Sequence, residues 1–268
     1  MRIQKPLREL SVSEILYQTF NLYGSRFTQF LLPFLVAGIV IGVINAIFQW
    51  YYLMPLAEKI QNMSLVTPTR ETLAVLLSLL ADLIVVTLFL SIVTWVINTI
   101  VHGVAVKFAS DAVEKGHASL REGLSAALSR LGSLFGAGLV TGILIFLGLL
   151  LLIVPGILIA IMFSLVVPAI MIDRKGVFES LGRSQKLVSK RWGKTFVLLL
   201  LIGIIFLLVS SITSLIVSSV TSALTTPLEA ASPVVSSLIM ALVAPILPIA
   251  TTLLYYSMVA RETPSSQK

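Results

Sequence analysis

LFGAGLVTGILIFLGLLLLIVPGILIAIMFSLVVPAIMI, residues 134–172, carries no charged side chain. As one helix at about 1.5 Å per residue it would reach about 58 Å, nearly twice the ~30 Å hydrocarbon core. Two spans folded back on each other fit the bilayer, with Pro155-Gly156 as the tight turn between Leu134–Val154 and Ile157–Ile172. That reading decides on which side of the membrane everything downstream lies. Four further apolar segments, Phe27–Met54, Thr72–Val106, Thr195–Ala223 and Val235–Ala260, meet the ~20 residues that a spanning helix needs. The expected fold is all-α, a polytopic membrane protein with six transmembrane helices.

Charge supports six spans. Lys and Arg number four in residues 1–26, four in 107–133, seven in 173–194 and two after Ala260. The loops 55–71 and 224–234 hold two and none. Seventeen of nineteen basic residues thus share one side, and the positive-inside rule makes that side cytoplasmic, with both termini and the short tail 261–268 on it. A single span over 134–172 would move the seven-charge segment across the membrane. The net charge of +7 is therefore a topological signal first, and no aromatic-interleaved basic face points to nucleic acid.

Composition agrees. Hydrophobic residues are 57%, charged residues 12% and the mean hydropathy is +1.02, whereas a soluble domain carries about 25% charged residues. Residues 1–26 lack the apolar core of a signal peptide, so the first span is expected to direct insertion. With no cysteine, disulfides, thiolate zinc sites, iron–sulfur clusters and cysteine nucleophiles are excluded.

A short signature recurs before three of the spans: Ser11-Val12-Ser13-Glu14-Ile15-Leu16, Ser119-Leu120-Arg121-Glu122-Gly123-Leu124 and Gly176-Val177-Phe178-Glu179-Ser180-Leu181. Thirteen residues after each glutamate stands an aromatic, Phe27, Phe135 or Trp192. Ser-x-x-Glu is a capping box, so Ser11/Glu14 and Ser119/Glu122 are expected helix caps, with Gly176/Glu179 a weaker one. Helical spacing then puts Val12, Ile15, Leu16, Phe20, Tyr23 and Phe27 on one stripe, and Leu120, Leu124, Leu128, Leu131 and Phe135 on another. The expectation is one integral membrane domain over 1–268. Its three units, about 8–106, 117–172 and 174–260, would each be an interfacial helix followed by a transmembrane hairpin. In the third, Arg183, Lys186, Lys190, Arg191 and Lys194 are expected to face lipid headgroups opposite Leu181, Val188 and Trp192. Plain membrane anchoring and a specific headgroup or protein site both remain open for that face.

Asp82 is the only acidic residue in these candidate spans, and Asn45 and Gln49 stand four apart on the first. Together they could form an intramembrane polar cluster, unless Asp82 lies at the outer interface instead. Ser210, Ser214, Ser218 and Ser222 repeat every fourth residue on the fifth span, which suits close packing or a hydrophilic lining. Gly38-x-x-x-Gly42, Gly132-x-x-x-Gly136 and Gly138-x-x-x-Gly142 also suit close packing, while Pro168, Pro245 and Pro248 should kink their helices. Asn98 and His102 form an i,i+4 pair, with His102 expected at the interface. No His/Asp/Glu set has metal-ligand spacing, and no cofactor is expected. Asn62-Met63-Ser64 is a glycosylation-type tripeptide in the loop assigned outside.

The segment Leu149–Leu187 (LLLLIVPGILIAIMFSLVVPAIMIDRKGVFESLGRSQKL) resembles prokaryotic six-helix proteins of unassigned activity, grouped with the membrane domain of glycerophosphoryl diester phosphodiesterases. Leu10–Phe27 (LSVSEILYQTFNLYGSRF) looks like the start of the same domain. The resemblance implies the fold and a prokaryotic cell-membrane location. The phosphodiesterase activity belongs to a separate soluble barrel that this chain is not expected to carry, so the activity is not transferred. The expected role is a non-enzymatic, envelope or lipid-associated scaffold that binds anionic membrane lipid. Nothing in the residues names a protein partner or an oligomeric state. The alternatives are a small transporter or channel with a polar path near Asp82, and an intramembrane enzyme, which the lack of a nucleophile–base constellation disfavours.

Overall fold

The computed structural model describes residues 5–6, 8–61, 70–223 and 231–262. Among the described residues 89% are helical and no strand occurs, which makes the fold all-α. Six of the described helices are long and apolar enough to cross a membrane: Phe27–Gln61, Leu73–Glu114, Leu131–Leu151, Ile153–Asp173, Trp192–Val220 and Ser232–Glu262. The tripeptide Asn62-Met63-Ser64 lies outside the described residues.

In chain order the elements are α1 (Val12–Ser25), α2 (Phe27–Phe48), α3 (Met54–Gln61), α4 (Arg70–Glu114), α5 (Leu120–Ser129) and α6 (Leu131–Leu151). A π-helical turn, Gln49–Leu53, joins α2 to α3. Then follow α7 (Ile153–Met162), α8 (Val166–Asp173), α9 (Val177–Ser189), α10 (Trp192–Ala223), α11 (Ser232–Val243) and α12 (Ile246–Glu262).

The described residues fall into two compact units, one drawn from Met1–Leu35, Thr99–Val209 and Ala241–Lys268, the other from Val36–Asn98 and Ser210–Met240. The first unit is built around α12, whose residues Pro248–Met258 are all buried. A helix with polar residues on every side yet fully enclosed must satisfy each of them internally. Thr251 and Thr252 do so through carbonyls one turn back, and Tyr256 through the Ser110 hydroxyl at 2.7 Å. In the second unit α2 and α11 approach at Gly42, where an added Cβ would sit 2.7 Å from Val234 Cα. Ser237 seals that crossing by donating to the Gly38 carbonyl at 2.8 Å.

The hairpin of α6 and α7 corrects the turn expected at Pro155-Gly156. The chain reverses at Leu152, which is extended (φ −163°, ψ 151°). Pro155 is already the third residue of α7, where a helix has no use for its missing N–H. Gly156 packs on Gly148 across the hairpin. Leu150, Leu151, Leu152 and Ile153 at this reversal are 68–78% exposed, a surface suited to lipid and not to water. The backbone at the reversal stays bonded as hydrocarbon requires, Leu152 N donating to the Gly148 carbonyl at 3.1 Å.

The caps divide. Ser11 Oγ accepts from Glu14 N at 3.2 Å and Glu14 accepts from Ser11 N at 2.7 Å, a complete capping box. The bond from Arg8, with help from Ser11, holds the Glu14 carboxyl down at about 2. At α9 the glutamate half alone forms, Gly176 N donating to Glu179 at 3.4 Å, because glycine has no side chain to return the bond. At α5 the expected box is absent: Ser119 makes no side-chain cap, and α5 is held instead by Gly123 and Ala127 buried in its packing face. An added Cβ at Gly123 would lie 3.3 Å from Val104.

Two spans are broken. The fourth divides at Phe163–Leu165 between α7 and α8, and the sixth at Ala244-Pro245 between α11 and α12. Each inner segment opens with two apolar residues and a proline, Val166-Val167-Pro168 and Ile246-Leu247-Pro248. Side chains from neighbouring helices complete the interrupted backbone. Ser184 of α9 accepts from Leu165 N at 3.1 Å and donates to the Met162 carbonyl at 2.7 Å. Tyr23 of α1 donates to the Leu242 carbonyl at 2.7 Å.

Candidate functional site

The five cations expected along α9 separate into two groups. Arg183, Arg191 and Lys194 are engaged inside the protein. Glu9 accepts from Arg191 at 2.9 Å, Lys194 at 3.2 Å and Arg261 at 3.3 Å, drawing the N-terminal segment, α10 and α12 together. Arg183 pairs with Glu262 and with Asp173 at 3.5 Å, and the Tyr255 hydroxyl donates to Asp173 at 2.5 Å. Burial pushes the Arg183 guanidinium down, but its bonds to Tyr255 and Glu262 outweigh that and hold it above its ordinary value.

Lys186 and Lys190 are different. Both are exposed, one turn apart, and neither makes a side-chain ion pair or hydrogen bond among the described residues. They line a cleft of about 730 Å³ with Arg191, Arg261, Glu9 and Glu262. The carboxylates there are already bonded to arginine and lysine, so the cleft presents cations outward. The apolar side of α9 does not rest in headgroups as expected. Ser180, Leu181, Ser184, Leu187 and Val188 are buried against protein, because α9 must cover the break in the fourth span. On the short helices α1, α5 and α9 the exposed large apolar side chains are Tyr17, Phe20, Leu124, Leu128 and Phe178.

Asn45, Gln49 and Asp82 line no common cavity. Asn45 donates to its own helix at the Ile41 carbonyl and lines a cavity of about 460 Å³ with Thr87, Ser91, Thr94, Trp95 and Asn98. Gln49 lines another of about 380 Å³ with Ser210, Ser214, Ser218, Ser232 and Ser236. Gln49 opens the π-helical turn that follows α2, so the α-helical spacing from Asn45 is not kept there. Asp82 is exposed and lines neither. The side chain of Ser222 lies outside the described residues.

Asp111 escaped the sequence reading. The second span was expected to end at Val106, but α4 continues to Glu114. Asp111 is buried and bonded to Lys107 at 2.8 Å and Lys115 at 2.9 Å. The signal was present as Lys-x-x-x-Asp-x-x-x-Lys at helical spacing. His102 packs edge-on to Phe34, and His117 meets the Lys115 carbonyl at 3.1 Å.

A family profile described as a domain of unknown function, DUF7847, matches residues 95–258, more than half of the chain. The chain belongs to the DUF7847 family. No curated protein and no solved structure matches it. The DUF7847 region takes in α5–α11 and all five of these cations, while Glu9, Arg261 and Glu262, which hold the cleft together, lie beyond its ends. The family description contains no link to the phosphodiesterase membrane domain suggested by residues 149–187.

Proposed function

We propose that this DUF7847 protein is a non-enzymatic scaffold of the prokaryotic cell membrane, with both termini cytoplasmic, that holds anionic lipid at the α9 cleft. The observation that carries this is the exposed pair Lys186 and Lys190 at the mouth of the cleft, beside carboxylates already neutralised by Arg183, Arg191, Lys194 and Arg261. A cation near an anionic leaflet contributes about 1 kcal/mol. Three times a short helix meets a basic joint and then a spanning helix, at Arg26, Arg130 and Lys190-Arg191, which supports the three-unit organisation. Kinship with the phosphodiesterase membrane domain, resting on residues 149–187, belongs to the same proposal. The non-enzymatic reading is supported by Glu9, Asp111, Asp173 and Glu262, each of which is spent on structural ion pairs.

Replacing both lysines by glutamine removes about 2 kcal/mol of attraction, or about thirtyfold in lipid affinity. Native mass spectrometry with phosphatidylglycerol against phosphatidylcholine should show the wild type retaining the anionic lipid and Lys186→Gln/Lys190→Gln losing the preference. An unchanged preference in the double variant rejects the reading.

The second reading, a transporter, draws on the uncharged cavity at Gln49 and the α10 and α11 serines, away from Asp82. It requires proteoliposomes to pass a small neutral solute such as glycerol faster than empty liposomes, and Gln49→Leu to slow it. Equal permeability with and without protein removes it.

A further inference from the structure

A second basic cavity, of about 500 Å³, lies between α5 and the end of α8. We propose that it binds a phosphate group, independently of the α9 cleft. Its lining brings Lys107, Arg121, Arg130 and Arg174 together with the hydroxyls of Ser125 and Ser129, against one carboxylate, Glu122. Lys107 is already committed to Asp111. The excess positive charge is therefore carried by three arginines, whose planar donors match phosphate oxygens in pairs.

The positions are built, not incidental. Arg121, Ser125 and Ser129 recur every fourth residue and so form one stripe of α5. Gly123 and Ala127 on another stripe are buried and seat α5 closely on Val104. Arg130 donates to the Arg174 carbonyl at 2.8 Å, fixing the α5–α6 joint to the end of α8. Arg174 itself has φ +55°, a left-handed conformation that an arginine adopts at a cost of about 1–2 kcal/mol. That conformation closes α8, with the Arg174 N–H donating to the Ala169 carbonyl, and so fixes where the arginine leaves the helix. Arg121 is exposed, and its side chain makes no ion pair or hydrogen bond among the described residues. Beside the polar stripe, Leu124 and Leu128 are 46% and 50% exposed, where the acyl chains of a lipid would lie if the phosphate belongs to one. The lining falls within the region matched by the family.

The test has two arms on the full-length, detergent-solubilised protein. Inorganic phosphate is titrated calorimetrically, and native mass spectrometry compares retention of phosphatidic acid with that of phosphatidylcholine. One phosphate group should bind per chain, about tenfold more weakly in Arg121→Gln and unchanged in Lys186→Gln/Lys190→Gln. Preferential retention of phosphatidic acid that Arg121→Gln abolishes assigns a lipid headgroup. Saturable inorganic phosphate without lipid preference assigns a soluble phosphate. Ser125→Ala, which alters no charge, should weaken whichever ligand binds. Absence of saturable binding in both arms, or binding by Arg121→Gln and Ser125→Ala as tight as that of the wild type, overturns the proposal, as does loss confined to the α9 double variant.

Discussion

Ser184→Ala will destabilise the protein by about 2–4 kcal/mol, the sum for two buried backbone groups left without a partner. The fourth span is interrupted between α7 and α8, so the Leu165 N–H and the Met162 carbonyl lose their places in a continuous helical ladder. One hydroxyl serves both, accepting at 3.1 Å and donating at 2.7 Å. Ser184 and Leu165 are each fully buried, so water cannot substitute. Ser180, one turn earlier on α9 and equally buried, donates only to the Val177 carbonyl of its own helix. Ser180→Ala should therefore cost about 1 kcal/mol or less. Reversible unfolding in mixed detergent–SDS micelles measures both variants. Equal effects would show that the hydroxyl of Ser184 does not support the break. The same bond bears on function, because it sets α9 against the fourth span and so fixes where Lys186 and Lys190 stand.

The six spans were legible because composition and length act locally: an apolar helix long enough to cross needs no knowledge of its neighbours. Charge did the rest, for a seven-cation segment fixes how residues 134–172 must fold. The reversal at Leu152 was not legible. Pro-Gly is a common turn signal, but it also suits a helix whose first turn tolerates proline and whose glycine is needed for packing. The five cations of residues 183–194 were read as one surface, whereas Arg183, Arg191 and Lys194 are engaged in ion pairs within the protein. Their partners, Glu9 and Glu262, stand up to 185 residues away in the chain, and such pairings leave no periodic trace in the sequence. Asn45 and Gln49 part for a local reason: Asn45 stands in α2, whereas Gln49 opens the π-helical turn, where the α-helical spacing assumed for the pair no longer holds. The capping box failed at Ser119, where the packing of Gly123 and Ala127 governs how the helix begins.

Glycines of the same hairpin should respond to alanine with opposite signs. At Gly156 an added Cβ would stand 2.8 Å from the Leu149 backbone nitrogen and 2.4 Å from its side chain. At Gly148 it would stand 2.9 Å from Gly156 Cα. Main chain on both sides leaves nothing flexible to yield, so the α6–α7 crossing must open. Overpacking of this kind costs about 1–3 kcal/mol, and Gly156→Ala is expected at the upper end. Gly142 sits in the Gly-x-x-x-Gly pattern that suggested close packing, yet nothing lies within 4 Å of the Cβ it would gain. There alanine restricts the unfolded chain and favours helix, so Gly142→Ala should stabilise by about 0.5–1 kcal/mol. The opposition separates motif from contact: the glycine pattern marks Gly142, whereas backbone proximity marks Gly148 and Gly156. Unfolding of the two variants side by side in the same micelles reads the difference directly. Destabilisation of similar size at Gly142 and Gly156 would mean that the hairpin does not cross at Gly148 and Gly156.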